Sequence, residues 1–148
     1  MLDDYLALEE PLVERIRDQV PALKTVTTAA EIAAVGQMRQ QAPAAIVIYD
    51  GDDVPQSPQA EANQGARQIV LQRWLIVIAV QNVADVRQGS AARREAGPLM
   101  SQTLLAVKGW QPPIVGMRPL VRAPASPGPA FEAGYGYFPI LILARVIE

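Results

Sequence analysis

Apolar residues near the N-terminus recur at helical spacing. Tyr5, Leu8, Leu12, Ile16 and Val20 make one stripe with Leu6 and Val13 beside it. Glu9, Glu14, Arg15, Arg17 and Asp18 fall mostly on the other side. Pro11 is tolerated only in a first helical turn, so the pattern predicts either a kink there or a helix whose strong part begins near Glu10. Pro21 closes it. Thr28-Ala29-Ala30-Glu31 then has the spacing of a capping box, followed by Ile32 to Val35 and by Gly36 as a stop signal. That predicts a short helix of about two turns.

From Pro43 the period changes. Ala44-Ala45-Ile46-Val47-Ile48-Tyr49 reads as a strand that ends in an acidic turn, Asp50-Gly51-Asp52-Asp53. Val54 to Ala66, with Pro55, Pro58 and Gly65 and little apolar content, reads as a mobile loop within one domain. Arg67 to Gln81 is the strongest strand signal. Val70, Gln72, Trp74, Ile76, Ile78 and Val80 face one way, and Ile69, Leu71, Arg73, Leu75, Val77 and Ala79 face the other.

Ser90 is placed to cap a helix with an inward stripe of Ala92, Ala96, Met100, Leu104 and Val107, Leu99 alongside and Gly109 past its end. Gly97-Pro98 within it predicts a bend or two consecutive helices. Ile114 to Arg122 reads as a strand, and Pro119 puts that strand at a sheet edge. Pro124 to Pro129 reads as an exposed hairpin tip, and Tyr135 to Ile147 as a final strand. The sum is an α+β domain: an antiparallel sheet of about four strands, two main helices packed on it and one short helix.

One feature of the strands departs from the usual alternation. An antiparallel sheet with one wet face alternates apolar with polar residues, yet the long strand sets Leu75, Val77 and Ala79 against Trp74, Ile76, Ile78 and Val80. The last strand likewise sets Phe138, Ile140, Ile142 and Val146 against Leu141, Leu143 and Ile147. Both faces require cover. Either the helices divide between the faces or the loops fold back over the second one, or that face is a subunit interface of a size that soluble monomers rarely expose.

Composition narrows the function classes. The 148 residues suit one domain, and a formal net charge of -2 without basic blocks leaves no footprint for gripping nucleic acid by its phosphates. The chain has no cysteine and no histidine, which removes disulfides, thiolate chemistry, the commonest general base and the commonest transition-metal ligand. Met1 to Glu10 lacks the n- and h-regions of a secretory signal, and the longest apolar run, Trp74 to Val80, is far below the ~20 residues of a spanning helix. The expectation is a soluble protein, intracellular when made and without a membrane partner.

Asp50, Asp52 and Asp53 have carboxylates spaced closely enough to suggest a hard cation, but Val54-Pro55 follows where a calcium loop would continue, so a solvated turn is the expected reading. Gly134-Tyr135-Gly136-Tyr137 leads into a strand and cannot seat a phosphate on a helix N-terminus. Trp110 is expected to be a packing anchor. Arg93 and Arg94 read most simply as a solvated face near a helix N-terminus; cations are mildly unfavourable there, so the two are also candidates for meeting a partner. With Arg118, Arg122 and the three aspartates they form the candidate interface or lumen set. No pair makes a convincing acid and base, so no catalytic, cofactor or metal residue is assigned.

Taken in order, the amphipathic N-terminal helix, the Pro43-led strand Ala44 to Tyr49, the acidic loop, Trp74 before Leu75-Ile76-Val77-Ile78, the helix ending in Lys108-Gly109-Trp110-Gln111-Pro112 and the closing Pro139-Ile140-Leu141-Ile142-Leu143 resemble the tail terminator family of lambda-like and Mu-like phages. The Gly109-Trp110 turn is the most particular of these. The resemblance covers nearly the whole chain. It implies a non-enzymatic, cofactor-free α+β subunit of a hexameric ring that caps the tail tube, ends its polymerisation and docks head-completion or neck proteins. Its implied partners are further copies of itself, the tube protein, the neck protein and, in a contractile tail, the sheath protein, with DNA only passing through the lumen. Its implied location is the virion tail, assembled in the host cytoplasm. A neck or head-completion connector, and a small carboxylate or tyrosine enzyme, are the alternatives.

Overall fold

The computed structural model describes residues 2–30, 41–55, 68–81, 90–132 and 134–147. Helix α1 spans Glu9–Gln19 and helix α2 spans Ser90–Val107; the strands are β1 (Thr25–Thr28), β2 (Ala44–Asp53), β3 (Ile69–Gln81), β4 (Val121–Arg122), β5 (Ala130–Glu132) and β6 (Tyr135–Ile147). They form one six-stranded sheet in the order β1-β2-β3-β6-β4, with β5 also paired to β6. The α+β class stands, but the sheet is mixed, because β1 runs parallel to β2. The β-branched run Thr25-Val26-Thr27-Thr28 is the signal for this extra strand. A parallel pair needs a crossover, and the chain between Thr28 and Ala44 supplies it.

Helix α1 begins at Glu9, so Pro11 sits in the first turn, where its missing N–H has no intrahelical partner to lose. Leu8, Leu12, Ile16 and Val20 are all fully buried, as the stripe predicts. Glu9 and Glu10 lie at the helix N-terminus and Arg17 in its last turn, each on the favourable end of the macrodipole. The expected short helix starts at Ala29 and Ala30, and the rest of it, like the loop at 56–67, lies outside the described residues.

Helix α2 is continuous through Gly97-Pro98, which overturns the expectation of two consecutive helices. The site explains the tolerance. Arg94, Gly97 and Pro98 are exposed, so a carbonyl that Pro98 leaves unbonded reaches water, while Ala92, Ala96 and Leu99 on the other side are packed. Thr103 is buried on that packed side, and its hydroxyl donates back to the Leu99 carbonyl at 2.7 Å. Gly109 ends the helix at φ +81°, and its N–H donates to the Leu120 carbonyl at 2.7 Å. Trp110 packs against the core with the Arg15 guanidinium 5.6 Å from its ring, and Arg15 Nε donates to the Ala106 carbonyl. Arg15 therefore ties α1 to the end of α2 instead of facing solvent.

The strand expected over Ile114 to Arg122 shrinks to the two residues of β4 plus a single bridge from Met117 to Val146. Pro119 has no N–H to give a ladder, and Gly116 turns the chain at φ +88°. The edge position holds. Pro124 to Pro129 is not a hairpin tip: it runs beside β6 between β4 and β5, where the Ser126 hydroxyl accepts the Leu141 N–H at 3.0 Å. The hairpin turn falls later, between β5 and β6, with Gly134 at φ +80°. A side chain at Gly136 would press on Phe138, Ala92 and Phe131, so the absence of a Cβ there is what lets α2 and β5 close on β6.

One core results. Both helices pack on the same face of the sheet, over Ala45, Val47, Trp74, Ile76, Ile78, Ile140, Ile142 and Val146. Buried Gln72 serves this core. Its amide accepts the Trp74 indole N–H at 3.0 Å and donates to the Tyr5 carbonyl at 2.8 Å, fastening the segment before α1 to the sheet. Among the described residues no helix is long and apolar enough to cross a membrane.

Candidate interaction surface

Because both helices take one face, the other set of strand residues is left with partial cover. Ile48, Leu71, Leu75, Val77, Leu141 and Leu143 are half-buried, and Ile69 and Ile147 at the far end are exposed. Adjacent registers bring them together: Leu75 lies across from Ile48 and Leu141, and Ile69 from Ile147. The outer face is thus largely apolar, interrupted by Arg73 between Leu71 and Leu75 and by Arg145 across from Leu71, which is more apolar than the exterior of a lone antiparallel sheet requires.

Two charged features border it. At one end an open groove of about 680 Å³ has Ile69, Leu71, Val121 and Ile147 among its walls with Arg118 and Arg145 beside them. The Arg118 N–H donates to the Arg145 carbonyl at 2.9 Å, which sets the two side by side on neighbouring edge segments. At the β2 edge lies the acidic segment. It is not a turn after the strand but part of it: pairing passes from Tyr49–Trp74 to Asp52–Gln72, so β2 carries one extra residue, a β-bulge.

Gly51 makes the bulge at φ +95°, where an added Cβ would stand 2.8 Å from Arg73 Nη2. The extra residue resets the alternation. Asp50 and Asp53, three positions apart, both reach Arg73, whose Nη1 donates to Asp53 Oδ2 at 2.6 Å and whose Nη2 donates to the Asp50 carbonyl at 2.9 Å. Asp52 turns to the other side, where the hydroxyls of Tyr5 and Tyr49 both donate to its carboxylate. The rings of Tyr5, Tyr49 and Trp74 follow one another edge to face.

The electrostatics follow from these contacts. Burial and the bonded Asp52 carboxylate push the Tyr5 hydroxyl well above the usual phenol range, and the same causes raise Tyr49. The bond to Asp53 raises the Arg73 guanidinium further above its ordinary value. Burial raises Tyr137. Tyr5 and Tyr49 thus act as neutral donors to Asp52 and brace the bulge. Among the described residues no group of acidic side chains is placed to hold a metal ion.

The seven residues singled out from the sequence separate into three places. Asp50, Asp52 and Asp53 stand together on the bulge. Arg118 and Arg122 lie on the β6 edge, Arg118 in the groove. Arg93 and Arg94 are exposed in the first turn of α2, where Arg94 Nε donates to the Ser90 carbonyl at 3.3 Å. Sequence reasoning missed Arg73, Tyr5, Tyr49 and Arg145. For Arg73 a signal existed: it is the one charged residue in β3.

Comparison with known proteins gives a shared fold and a family. No curated protein matches the chain significantly. A solved structure described as the virion of a native gene transfer agent particle contains a chain with this fold; the two are 16% identical with a TM-score of 0.53, over 98% of this chain and 100% of that one. The family model of the phage tail terminator protein matches residues 1–142. The chain therefore belongs to the phage tail terminator family.

Proposed function

We propose that this chain is a structural, non-enzymatic tail subunit that assembles into a ring, hexameric by the family resemblance, on the end of a tail tube. There it stops tube polymerisation and offers its free surface to head-completion or neck proteins. The observation that carries the reading is the outer sheet face: a largely apolar surface that neither described helix covers, as an interface would require. The family match supports the placement on a tail.

In this reading the partners are other copies of the chain, the tube protein and the neck protein, with sheath protein added in a contractile tail. DNA passes through without being held. The acidic bulge suits a lumen or tube-facing rim, since carboxylates repel phosphates. Light scattering on the purified protein, alone at high concentration and with tail tubes, tests the ring. A closed oligomer in either condition is expected, and a strict monomer in both would overturn the proposal. Electron microscopy of tails made without the gene should show tubes of uncontrolled length, whereas normal tails lacking heads would point to a neck protein.

A further inference from the structure

Charge is unevenly spread along the chain. Ten of its fifteen acidic residues fall within the first sixty positions, and nine of its thirteen basic residues fall beyond them. The fold converts that gradient into two surfaces on opposite sides of the subunit. On the outer sheet face, the apolar groove of Ile69, Leu71 and Ile147 carries Arg118 and Arg145, and none of the described residues lining it is acidic. Neither arginine has an ion pair among the described residues. On the far side of the molecule, α1 buries Leu12, Val13 and Ile16 against the sheet and turns Glu10 and Glu14 outward, one helical turn apart. They too have no ion pair among the described residues. Leu6, in the turn just before the helix and four positions ahead of Glu10, is 42% exposed.

We infer that the groove of one subunit receives the α1 face of a second copy, with Leu6 entering the apolar floor and Glu10 and Glu14 meeting Arg118 and Arg145. Two like charges held side by side repel one another, and an acidic neighbour turns that repulsion into attraction. An exposed leucine beside carboxylates is the shape and charge that an apolar groove flanked by arginines accepts. The two surfaces differ and lie on opposite sides, so the contact is head-to-tail. Such contacts propagate, and they close into a ring when the rotation per subunit divides a full turn. A symmetric dimer would instead need one patch facing itself. This inference rests on the ring reading above and names the surfaces that make the ring.

The test is a charge exchange. One variant carries Arg118→Glu with Arg145→Glu, a second carries Glu10→Lys with Glu14→Lys, and a third carries all four substitutions. Assembly is followed by light scattering under the conditions in which the unmodified protein forms its oligomer, and melting curves confirm that each variant is folded. Each two-site variant alone should need at least a tenfold higher concentration to assemble. The four-site variant, and an equal mixture of the two-site variants, should recover assembly, because acid again faces base at every junction. Higher salt should weaken the unmodified oligomer.

If the unmodified protein forms rings and the folded two-site variants form them equally well, the groove and helix are not the interface, although the ring stands. Failure of the folded four-site variant to recover would also overturn the inference. A protein that never assembles, alone or on tubes, removes the ring reading itself.

Discussion

Replacing Gln72 with leucine tests whether the polar contact inside the core holds the N-terminal segment in place. Gln72 is fully buried, and its two hydrogen bonds satisfy the Trp74 indole N–H and the Tyr5 carbonyl. Leucine fits the volume but bonds neither. Trp74 is itself fully buried, so its N–H has no access to water, and leaving such a donor unpaired costs about 1–3 kcal/mol. Tyr5 is only partly buried, so water relieves its carbonyl and that loss is smaller. The added apolar burial offsets part of the total, and the net destabilisation expected for Gln72→Leu is about 1–3 kcal/mol. For a chain of this size that lowers the melting temperature by about 3–9 °C. Calorimetry on Gln72→Leu, Trp74→Phe and the double variant isolates the contact. Once the indole N–H is gone, Gln72→Leu should cost about 1–2 kcal/mol less than it does alone. Additive effects, or a Gln72→Leu change within about 0.5 kcal/mol of zero, would refute the role assigned to this bond.

Gly136→Ala should destabilise by about 1–3 kcal/mol, read by urea unfolding, because the new methyl meets Phe138 at 2.9 Å and Ala92 at 3.0 Å between packed elements. Gly51→Ala forces a side chain to φ +95° and toward Arg73, and a loss of about 1–2 kcal/mol is expected in the same assay. Tyr5 has a hydroxyl raised above its ordinary value of 10.0 in the folded state, so its contribution is complete below pH 10 and declines as pH rises past 10 toward the folded value. Stability measured against pH should therefore fall less steeply above pH 10 in Tyr5→Phe than in the unmodified protein. Lysine at Asp50, Asp52 and Asp53 together is expected to weaken the fold locally, since Asp52 holds two tyrosines and Asp53 pairs with Arg73. Asparagine at Asp50 alone gives up only a half-exposed ion pair with Arg73, so it should cost no more than about 1 kcal/mol and serves better to test the rim position by infectivity.

The sequence by itself determined those features that depend on a single period or a single residue's chemistry. The α1 stripe, the two long strands, the α+β class and the need of both sheet faces for cover all follow from which positions are apolar, because burial is set by side-chain alternation whatever lies beyond. The capping of α2 by Gly109-Trp110 was equally local. Tertiary structure decided what depends on residues far apart in the chain. Only the assembled sheet shows that both described helices take one face, which rules out the arrangement with one of them on each side. Thr25–Thr28 becomes a strand because β2 offers it an edge, and Pro98 survives within α2 because it faces water while Ala96 and Leu99 are packed. Asp50, Asp52 and Asp53 read as a free turn in the sequence. They are held in a bulge because Arg73, twenty positions past Asp53, and Tyr5, forty-seven before Asp52, reach them across the sheet. Spacing along the chain carries no record of such meetings, since the distance between those side chains is set by strand register and not by the residues between them.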